Sequence, residues 1–421
     1  MLMFRRFFIK LRHSDLGEFV RSLMPNLMIN RFFHFPLALL AILYYRYPAK
    51  KLKIIGVTGT DGKTTTTTLI YEILSKAGLQ TALISSVSAK IGNLDFSTGF
   101  HVTSPSPWQL QKILRLIVDK GFECLVLESS SHGLDQYRLL GCNFYAGVVT
   151  NITHDHLDYH KTWKNYLLAK AKLFRSTQFS ILNRDDKSYK YLKKIANGKI
   201  VTYGLNQGDY NLHNFFFKTL LLGDYNRLNC LAAVATTKSM GIDEKIIRET
   251  ITDFKGIKGR MEEVKTTKGF KVFIDFASTP NSLDQALKTL KKLPHKKIIA
   301  VFGCAGLRDI QKRPLMGKVA CCLADKVILT AEDPRTEDVN KIINQIARGC
   351  LSKNKIIIEI NRQKAIDLAI NKLAKKGDII GIFGKGHEQS MCFGNKEYPW
   401  SEDAAVKKAL NQKVEEKINE C

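Results

Sequence analysis

The stretch Lys53-Ile-Ile-Gly-Val-Thr-Gly-Thr-Asp-Gly-Lys-Thr-Thr65 decides the fold of this chain. Its apolar start predicts a buried strand, and apolar residues spaced three or four apart between Leu69 and Leu74 predict a helix after the glycines. A strand, a glycine turn and a helix form one α/β unit whose backbone N–H groups can cradle phosphates. The generic phosphate-loop spacing is missed by one position, because Val57 stands where that pattern has glycine.

Composition excludes several classes of protein. The chain has 421 residues, of which 45% are apolar and 25% charged, so we expect two or three domains with real cores. A disordered tail protein and a disulfide mini-protein are both excluded. The 65 Lys and Arg against 39 Asp and Glu give a net charge of +26. That excess fits nucleic acid, an anionic membrane face, a polyanionic substrate or simply a solvated surface, and charge alone does not choose among them.

Cysteine usage and hydropathy indicate the compartment. Nine cysteines without a C-x-x-C pair predict reduced thiols and a cytoplasmic protein. The longest apolar run, Phe35 to Tyr45, contains Pro36 and is too short to span a membrane. Residues 1–50 form a basic and apolar segment that we expect to be helical and packed on the next domain. A signal anchor or a membrane-surface helix is the second interpretation, because basic residues precede the apolar run: Arg5, Arg6, Lys10 and Arg12.

Strand and helix signals alternate in two blocks, which predicts an α/β fold. Residues 51–258 are expected to form a central P-loop ATPase domain with a mostly parallel sheet, and residues 259–421 a Rossmann-like C-terminal domain. Residues 204–222 predict a hairpin insertion. The other strand signals are Leu79–Ser85, Cys124–Glu128, Ala146–Asn151, Val272–Asp275, Ile298–Phe302, Lys326–Thr330, Lys355–Ile358 and Asp378–Phe383.

Two polar clusters follow predicted strands in the first block. They are Glu128-Ser-Ser-Ser-His-Gly133 and Asn151-Ile-Thr-His-Asp-His-Leu-Asp-Tyr-His160. Because the carboxyl ends of parallel strands face a ligand crevice, a carboxylate there suits a hard cation bound with phosphate. Three histidines in the second cluster also admit zinc or a purely structural role. The neighbouring phosphate loop favours the hard cation.

These stretches resemble the ATP-dependent Mur ligases, and the resemblance runs in order from about residue 51 to 411. Later segments narrow it to the UDP-N-acetylmuramoyl-tripeptide synthetase branch. The segments that carry it are Thr58–Thr64, Glu128–Asp135, Asn151–His160, Tyr166–Phe174, Asn226–Asn229, Gly259–Glu262, Phe302–Asp309, Lys312–Met316, Asp333–Arg335 and Gly384–Glu388. Such a set is far more specific than a lone phosphate loop.

The resemblance implies a ligase of peptidoglycan synthesis. It would join an amino acid of the diaminopimelate or lysine type to the carboxylate of a UDP-N-acetylmuramoyl peptide while ATP becomes ADP and phosphate. Since a carboxylate does not react with amines, the γ-phosphoryl group first makes an acyl phosphate. ATP and Mg²⁺ are the implied cofactors.

Residue roles also follow from the resemblance. Lys63, Lys170 and His156 would be catalytic, and Lys170 matches the lysine that this family carbamylates. Metal ions would be held by Thr64, Glu128, His156 and Lys170. ATP would be bound by Gly59, Thr60, Asp61, Gly62, Lys63, Thr64, Thr65, Asn226, Arg260 and Asp275. The muramoyl peptide would contact Thr103, Ser104, Ser130 and Arg138, and the incoming amino acid would contact Arg308, Asp333, Arg335, Gly384 and Glu388.

Several positions depart from the family pattern. Phe276-Ala-Ser278 replaces Tyr-Ala-His, and Ala305-Gly-Leu-Arg-Asp309 replaces Gly-Gly-Asp-Arg-Asp. Asp333 replaces an asparagine, exchanging an amide for a group that, when ionised, only accepts hydrogen bonds. Residues 1–50 stand in place of the family's separate uridine-binding domain. The identity of the amino acid and the way UDP is recognised are therefore left open.

Three alternatives complete the prediction. The first is a Mur-type ligase on another carboxylate, such as a folate or a polymer. The second, from a different class, is a basic P-loop ATPase that binds nucleic acid, which would have no use for the context of Lys170. The third is a degenerate relative that has lost catalysis. The catalytic and metal-binding residues are present, which argues against it. We expect UDP-muramoyl peptide and amino-acid substrates, no nucleic-acid partner, peripheral membrane contact at most, and a monomer.

Overall fold

The first half of the chain folds around an eight-stranded sheet in this computed structural model, which describes residues 26–97 and 104–412. Its strand order is β4-β3-β2-β5-β1-β6-β7-β8. The strands from β2 to β8 in that order are parallel, while β3 and β4 form an antiparallel edge. The strands are β1 Lys53–Thr58, β2 Thr81–Ile84, β3 Ser88–Ile91, β4 Leu94–Ser97, β5 Cys124–Glu128, β6 Phe144–Val149, β7 Phe179–Asn183 and β8 Lys199–Tyr203.

A second sheet of six strands begins after residue 261, in the order β13-β12-β11-β14-β10-β9. Only β9 is antiparallel within it. The strands are β9 Glu262–Val264, β10 Lys271–Asp275, β11 Ile298–Phe302, β12 Lys326–Leu329, β13 Ile356–Ile358 and β14 Ile379–Phe383, followed by the separate hairpin β15 Ser390–Phe393 and β16 Lys396–Pro399. The expected α/β class with two mostly parallel sheets is confirmed.

Helices cover both faces of each sheet, so each sheet separates two apolar core clusters. Strands buried on both faces read as continuous apolar runs, which is why most of them were visible in the sequence. The helices are α1 Asn26–Ile29, α2 Phe35–Tyr44, α3 Lys63–Lys76, α4 Pro107–Asp119, α5 Ser131–Asp135, α6 Leu157–His160, α7 Trp163–Ala171, α8 Tyr189–Leu192, α9 Asp224–Ser239, α10 Glu244–Asp253, α11 Pro280–Lys291, α12 Lys312–Leu323, α13 Val339–Arg348, α14 Arg362–Leu368 and α15 Glu402–Asn411.

The predicted hairpin at 204–222 is wrong. Residues 204–214 form turns held by side chains, because the Asp209 carboxylate accepts hydrogen bonds from the backbone N–H and the hydroxyl of Thr202. Phe215 and Phe217 then enter the apolar core instead of pairing as strands. In the eight-stranded sheet a hairpin is formed instead by β3 and β4. The parallel strands β7 and β8 of the same sheet were not predicted.

The prediction of uniformly reduced thiols is also wrong for one pair. Cys321 in α12 and Cys350 just after α13 form a disulfide, with Cα atoms 5.6 Å apart. They are separated by 29 residues in sequence, so their proximity depends on how the two helices pack and not on a local motif. Within residues 26–97 and 104–412, no helix has the length and apolar character needed to cross a membrane.

Candidate active site

The phosphate loop joins β1 to α3 at the carboxyl edge of the first sheet. Gly62 has φ +82°, and a Cβ added there would lie 2.3 Å from Asn229 Oδ1. A Cβ on Gly59 would lie 1.8 Å from Thr150 Oγ1. The glycines are therefore required by close packing as well as by backbone conformation. Lys63 Nζ donates to the Thr60 carbonyl at 2.8 Å, which holds its charge at the mouth of the loop.

An oxygen cluster lies beside this loop. Glu128 Oε2, at the end of β5, accepts hydrogen bonds from Thr64 Oγ1 at 3.1 Å, Ser86 Oγ at 3.1 Å and the Ser86 N–H at 2.9 Å. Magnesium takes one or two carboxylates with hydroxyls, waters and substrate phosphates, so this donor set fits Mg²⁺. In the described ranges no group of three or more His, Cys, Asp or Glu side chains could hold a metal, which argues against a zinc interpretation of the histidines.

Lys170 lies directly beneath the loop. Lys170 is 1% exposed, and its Nζ donates to the Gly59 carbonyl at 2.6 Å and lies 4.5 Å from the centre of the Tyr166 ring. Burial, with the nearby Lys63 charge, holds the pKa of Lys170 well below its usual range. Residue type alone predicts a lysine on the surface of a helix, and the structure contradicts that interpretation. A buried amine with a lowered pKa is available as a neutral nucleophile.

The histidine cluster packs against the same edge. The rings of His132 and His156 are 4.8 Å apart, and His160 Nε2 lies 3.1 Å from Ser131 Oγ. Burial lowers the pKa of His156, and it lowers the pKa of His132 to about 2 and that of His160 to about 4. These imidazoles are therefore neutral at physiological pH, as a histidine that binds a metal must be.

A cleft of about 300 Å³ separates the two sheets and contains the phosphate loop. Asp61 bridges it, since its carboxylate accepts hydrogen bonds from Thr279 Oγ1 at 3.1 Å and Asn281 Nδ2 at 2.8 Å. All the predicted ATP-binding residues except Gly59 line this cleft: Thr60, Asp61, Gly62, Lys63, Thr64, Thr65, Asn226, Arg260 and Asp275.

Arg260 and Asp275 line the cleft opposite the phosphate loop. Arg260 Nη2 donates to Thr64 Oγ1 at 3.3 Å, and its guanidinium lies 4.5 Å from the ring centre of Phe276. Phe276 is one of the departures from the family pattern, and here it supplies an aromatic face for the arginine. Burial raises the pKa of Asp275 to about 6, although Arg260 and two backbone N–H groups oppose the shift.

The carboxyl edge of the second sheet closes the other side of the cleft. Lys385 Nζ donates to Asp333 Oδ1 at 2.9 Å and to Glu388 Oε2 at 2.5 Å. Asp333 Oδ1 also accepts from the Cys392 N–H at 3.0 Å, so the departure from asparagine is matched by a cation and a backbone donor. Arg308, Asp333, Arg335 and Glu388 line the cleft, while Gly384 lies behind them, where a Cβ would meet Glu332 Oε2 at 2.5 Å.

The predicted acceptor residues meet at the N-terminus of α5, beside the cleft. Ser104 Oγ lies 2.9 Å from Ser130 Oγ, and Arg138 Nη1 donates to the Ser104 carbonyl at 3.1 Å. Ser130 also caps α5 by accepting from the Gly133 N–H at 3.0 Å. Thr103, the fourth predicted acceptor contact, lies outside the described residues.

Sequence reasoning missed several residues of the cleft. Ser86 follows β2, so a polar residue after a predicted strand could have revealed it. Lys312 lies 3.7 Å from buried Asp155, and together with His156 it outweighs burial and lowers the pKa of that carboxyl. Glu332 directly precedes Asp333, its Oε2 has no hydrogen-bond partner among the described residues, and burial raises its pKa to about 7.

Comparison with known proteins places this arrangement in a family. The model described as Mur ligase middle domain matches residues 57–237, and the model described as Mur ligase, glutamate ligase domain matches residues 259–386. A protein of Aquifex aeolicus (strain VF5) named UDP-N-acetylmuramoyl-L-alanyl-D-glutamate–2,6-diaminopimelate ligase is 40% identical over 387 residues, covering 87% of this chain and 79% of that protein.

Solved structures agree on the fold. A structure of a UDP-N-acetylmuramoyl-L-alanyl-D-glutamate–2,6-diaminopimelate ligase is 34% identical, with a TM-score of 0.57 over 85% of this chain and 78% of that one. Folylpolyglutamate synthase of Mycobacterium tuberculosis, complexed with ADP and AMPPCP, has a TM-score of 0.68 at 15% identity over 90% and 96% of the two chains, a likeness of fold alone. On its sequence identity to these relatives and the two matched domain models, the chain belongs to the Mur ligase family.

Proposed function

We propose that this protein is an ATP-dependent ligase of peptidoglycan synthesis. It adds an amino acid of the diaminopimelate or lysine type to the carboxylate of a UDP-N-acetylmuramoyl peptide through an acyl phosphate. The observation that carries the proposal is one cleft lined on one side by the phosphate loop and on the other by Arg308, Asp333, Arg335 and Glu388. Relatives up to 40% identical bear the name of a diaminopimelate ligase, which supports this choice of substrates.

On the phosphate side, ATP is the proposed phosphoryl donor. A folylpolyglutamate synthase of the same fold was solved with ADP and AMPPCP, which supports a nucleotide as a ligand of this fold. Thr64 and Glu128 would hold Mg²⁺, with His156 and a carbamylated Lys170 at a second ion. When bound, Mg²⁺ supplies positive charge against the transferring phosphoryl group. Lys63 is placed to meet the negative charge that develops on the same oxygens.

On the amino-acid side, Arg308 and Arg335 are the proposed carboxylate contacts. Burial and the charge of Arg335 lower the pKa of Arg308, so a bound carboxylate would relieve the repulsion between the two cations. We propose that Glu388 contacts the distal amine of the incoming amino acid. Gly384 has no side chain, so the backbone there can approach this amino acid closely. The amine that attacks the acyl phosphate must be neutral, since a protonated amine has no free electron pair.

On the acceptor side, we propose that Thr103, Ser104, Ser130 and Arg138 contact the muramoyl peptide. Hydroxyls and a guanidinium suit a polyanion, and Ser130 and Arg138 are brought together with Ser104 by α5. A cytoplasmic location and a monomer are part of the same proposal.

Substrate-dependent ATP turnover by the purified protein tests this function. UDP-N-acetylmuramoyl-dipeptide would be offered with diaminopimelate, lysine or ornithine, and phosphate release and the ligated product would be measured. We expect release that requires both acceptor and amino acid. Turnover with a folyl or polymeric carboxylate in place of the muramoyl acceptor would establish the other-acceptor alternative, and turnover stimulated by nucleic acid alone would establish the ATPase alternative.

A further inference from the structure

The helical segment at residues 26–44 presents an apolar face to solvent. Phe32, Leu40 and Leu43 are 63%, 56% and 66% exposed, and Phe33 and Tyr44 are also largely exposed. In α2 only Ala38, Ala41 and Ile42 are buried, and because they lie three or four residues apart they share one side of the helix. The other positions form a broad exposed face. Monomeric soluble proteins rarely expose a contiguous apolar patch of this kind without a binding role.

The opposite side of the segment is anchored to the first sheet's domain. Ala38, Ala41 and Ile42 are buried, and Ile42 fills the space above Gly141, where a Cβ would lie 2.8 Å from its Cδ1. Asn30 Nδ2 donates to Asp135 Oδ2 at 3.0 Å. The segment is therefore packed firmly on the domain through its inner side. The exposure of its outer face does not result from loose packing.

This anchoring places the segment on the acceptor side of the cleft. The Phe35 ring packs edge-on against Tyr137 at 5.3 Å, and Tyr137 immediately precedes Arg138. Asn30 also donates to the Tyr159 hydroxyl at 3.2 Å, and the Tyr159 ring lies 4.5 Å from that of His132. The apolar face and the proposed acceptor contacts thus share one part of the molecule.

Charge within the segment has a single sign. Residues 26–53 contain no Asp or Glu, and the exposed charged residues among them are all basic: Arg31, Arg46, Lys50, Lys51 and Lys53. A helix that combines a large apolar face with flanking cations is suited to the boundary between anionic headgroups and acyl chains. A protein partner with an apolar groove would not by itself account for this run of cations.

The length of the segment decides how it can meet lipid. Helix α2 has 10 residues, and no helix in the described part of the chain is long and apolar enough to cross a membrane. A short apolar helix bound on one side to protein can enter only the interfacial layer.

We propose that residues 26–53 bind the surface of an anionic lipid bilayer. Phe32, Leu40 and Leu43 enter the headgroup boundary, and the cations from Arg46 to Lys53 face the lipid headgroups. Binding in this way holds the acceptor side of the cleft next to the membrane. The proposal does not depend on ligase activity.

Flotation of the full-length protein on vesicles tests it. Vesicles of equal parts phosphatidylglycerol and phosphatidylcholine would be compared with vesicles of phosphatidylcholine alone. The test variant is Phe32→Ser, Leu40→Ser and Leu43→Ser together. The matched control is Phe216→Ser, Leu220→Ser and Leu351→Ser, three exposed apolar residues elsewhere that are 64%, 65% and 94% exposed.

We expect the wild type and the control to float with the anionic vesicles, and the test variant to lose at least about tenfold in the bound fraction. Thermal unfolding of both variants checks that the fold is kept, as expected for exposed side chains. Absence of flotation by the wild type, equal flotation of the test variant, or equal binding to neutral vesicles overturns the proposal. Sedimentation then tests a second copy as the occupant, since a dimer would assign the face to it.

Discussion

The two sides of the cleft are built in opposite ways. At the phosphate loop, charged groups are met by neutral partners, as when Lys63 donates to the Thr60 carbonyl and Glu128 accepts from hydroxyls and a backbone N–H. At the second sheet, ions meet ions, as in the contacts of Lys385 with Asp333 and Glu388. The first arrangement leaves charge available for phosphates and metal, whereas in the second Lys385 and its two carboxylate partners offset one another.

This difference indicates where chemistry and specificity reside. Neutral preorganised partners keep a site ready for charge that develops on an oxygen, with little rearrangement. In a network of paired ions, exchanging one member changes the net charge that the remaining members present to a ligand. Such a network is therefore suited to discriminating between amino acids. We therefore expect substitutions at the loop to remove turnover and substitutions in the network to alter stability or substrate preference.

Lys63→Ala should have the largest effect. Removing the cation at the mouth of the phosphate loop should lower amino-acid-dependent phosphate release by about 10³-fold, since a donor aimed at developing charge is lost. The control is Lys76→Ala at the other end of α3, where the lysine is exposed and pairs with Asp253. Similar losses in both variants would mean that α3, and not the position of Lys63, is what matters.

Lys170→Ala should follow, with a loss of about 10²-fold if the side chain becomes a carbamate that holds metal. The lowered pKa of the buried amine favours its reaction with carbon dioxide, so wild-type turnover should also fall when bicarbonate is removed. Lys164→Ala, an exposed lysine on the same helix, is the control. Full activity of Lys170→Ala would show that the carbamate assignment is wrong.

Glu332 should make stability depend on pH. Burial raises its pKa from 4.5 to about 7, so the folded state binds more protons than the unfolded state between these values. The free energy of unfolding should therefore fall as pH rises through this window, by up to about 3 kcal/mol. Glu332→Gln should remove this contribution and leave that of Asp275, and Glu263→Gln, at an exposed site on β9, should retain both. Urea unfolding without ligand from pH 4.5 to 7 measures both, and parallel curves for wild type and Glu332→Gln would contradict the shift.

Asp333→Asn should have the smallest effect on turnover. Lys385 would keep only Glu388 as its carboxylate partner, and Glu388 would be drawn away from a distal amine. We expect KM for the amino acid to rise by up to about tenfold with kcat little changed, since uniform binding is lost. Asp253→Asn, at an exposed ion pair, should leave both constants unchanged. A fall in kcat with constant KM would place Asp333 in the chemical step instead.

How much could be predicted from the sequence differs between the two sides of the cleft. The phosphate loop is one continuous stretch, so its strand, glycines and helix were visible together, and Glu128 and Asn151 followed recognisable strands. Glu332 and Ser86 were missed because neither belongs to a short motif. The hairpin predicted at 204–222 failed because Asp209 supplied turn hydrogen bonds that residue propensity does not report.

The sequence by itself determined the α/β class, the phosphate loop and the resemblance to the Mur ligases, because these depend on local periodicity and on residues close together in the chain. Only the tertiary structure decided that Lys170 is buried under Gly59, that Asp333 faces Lys385, and that Cys321 bonds to Cys350. Those outcomes depend on burial and on contacts between distant segments. Desolvation and ion pairing act through space, and spacing along the chain does not encode them.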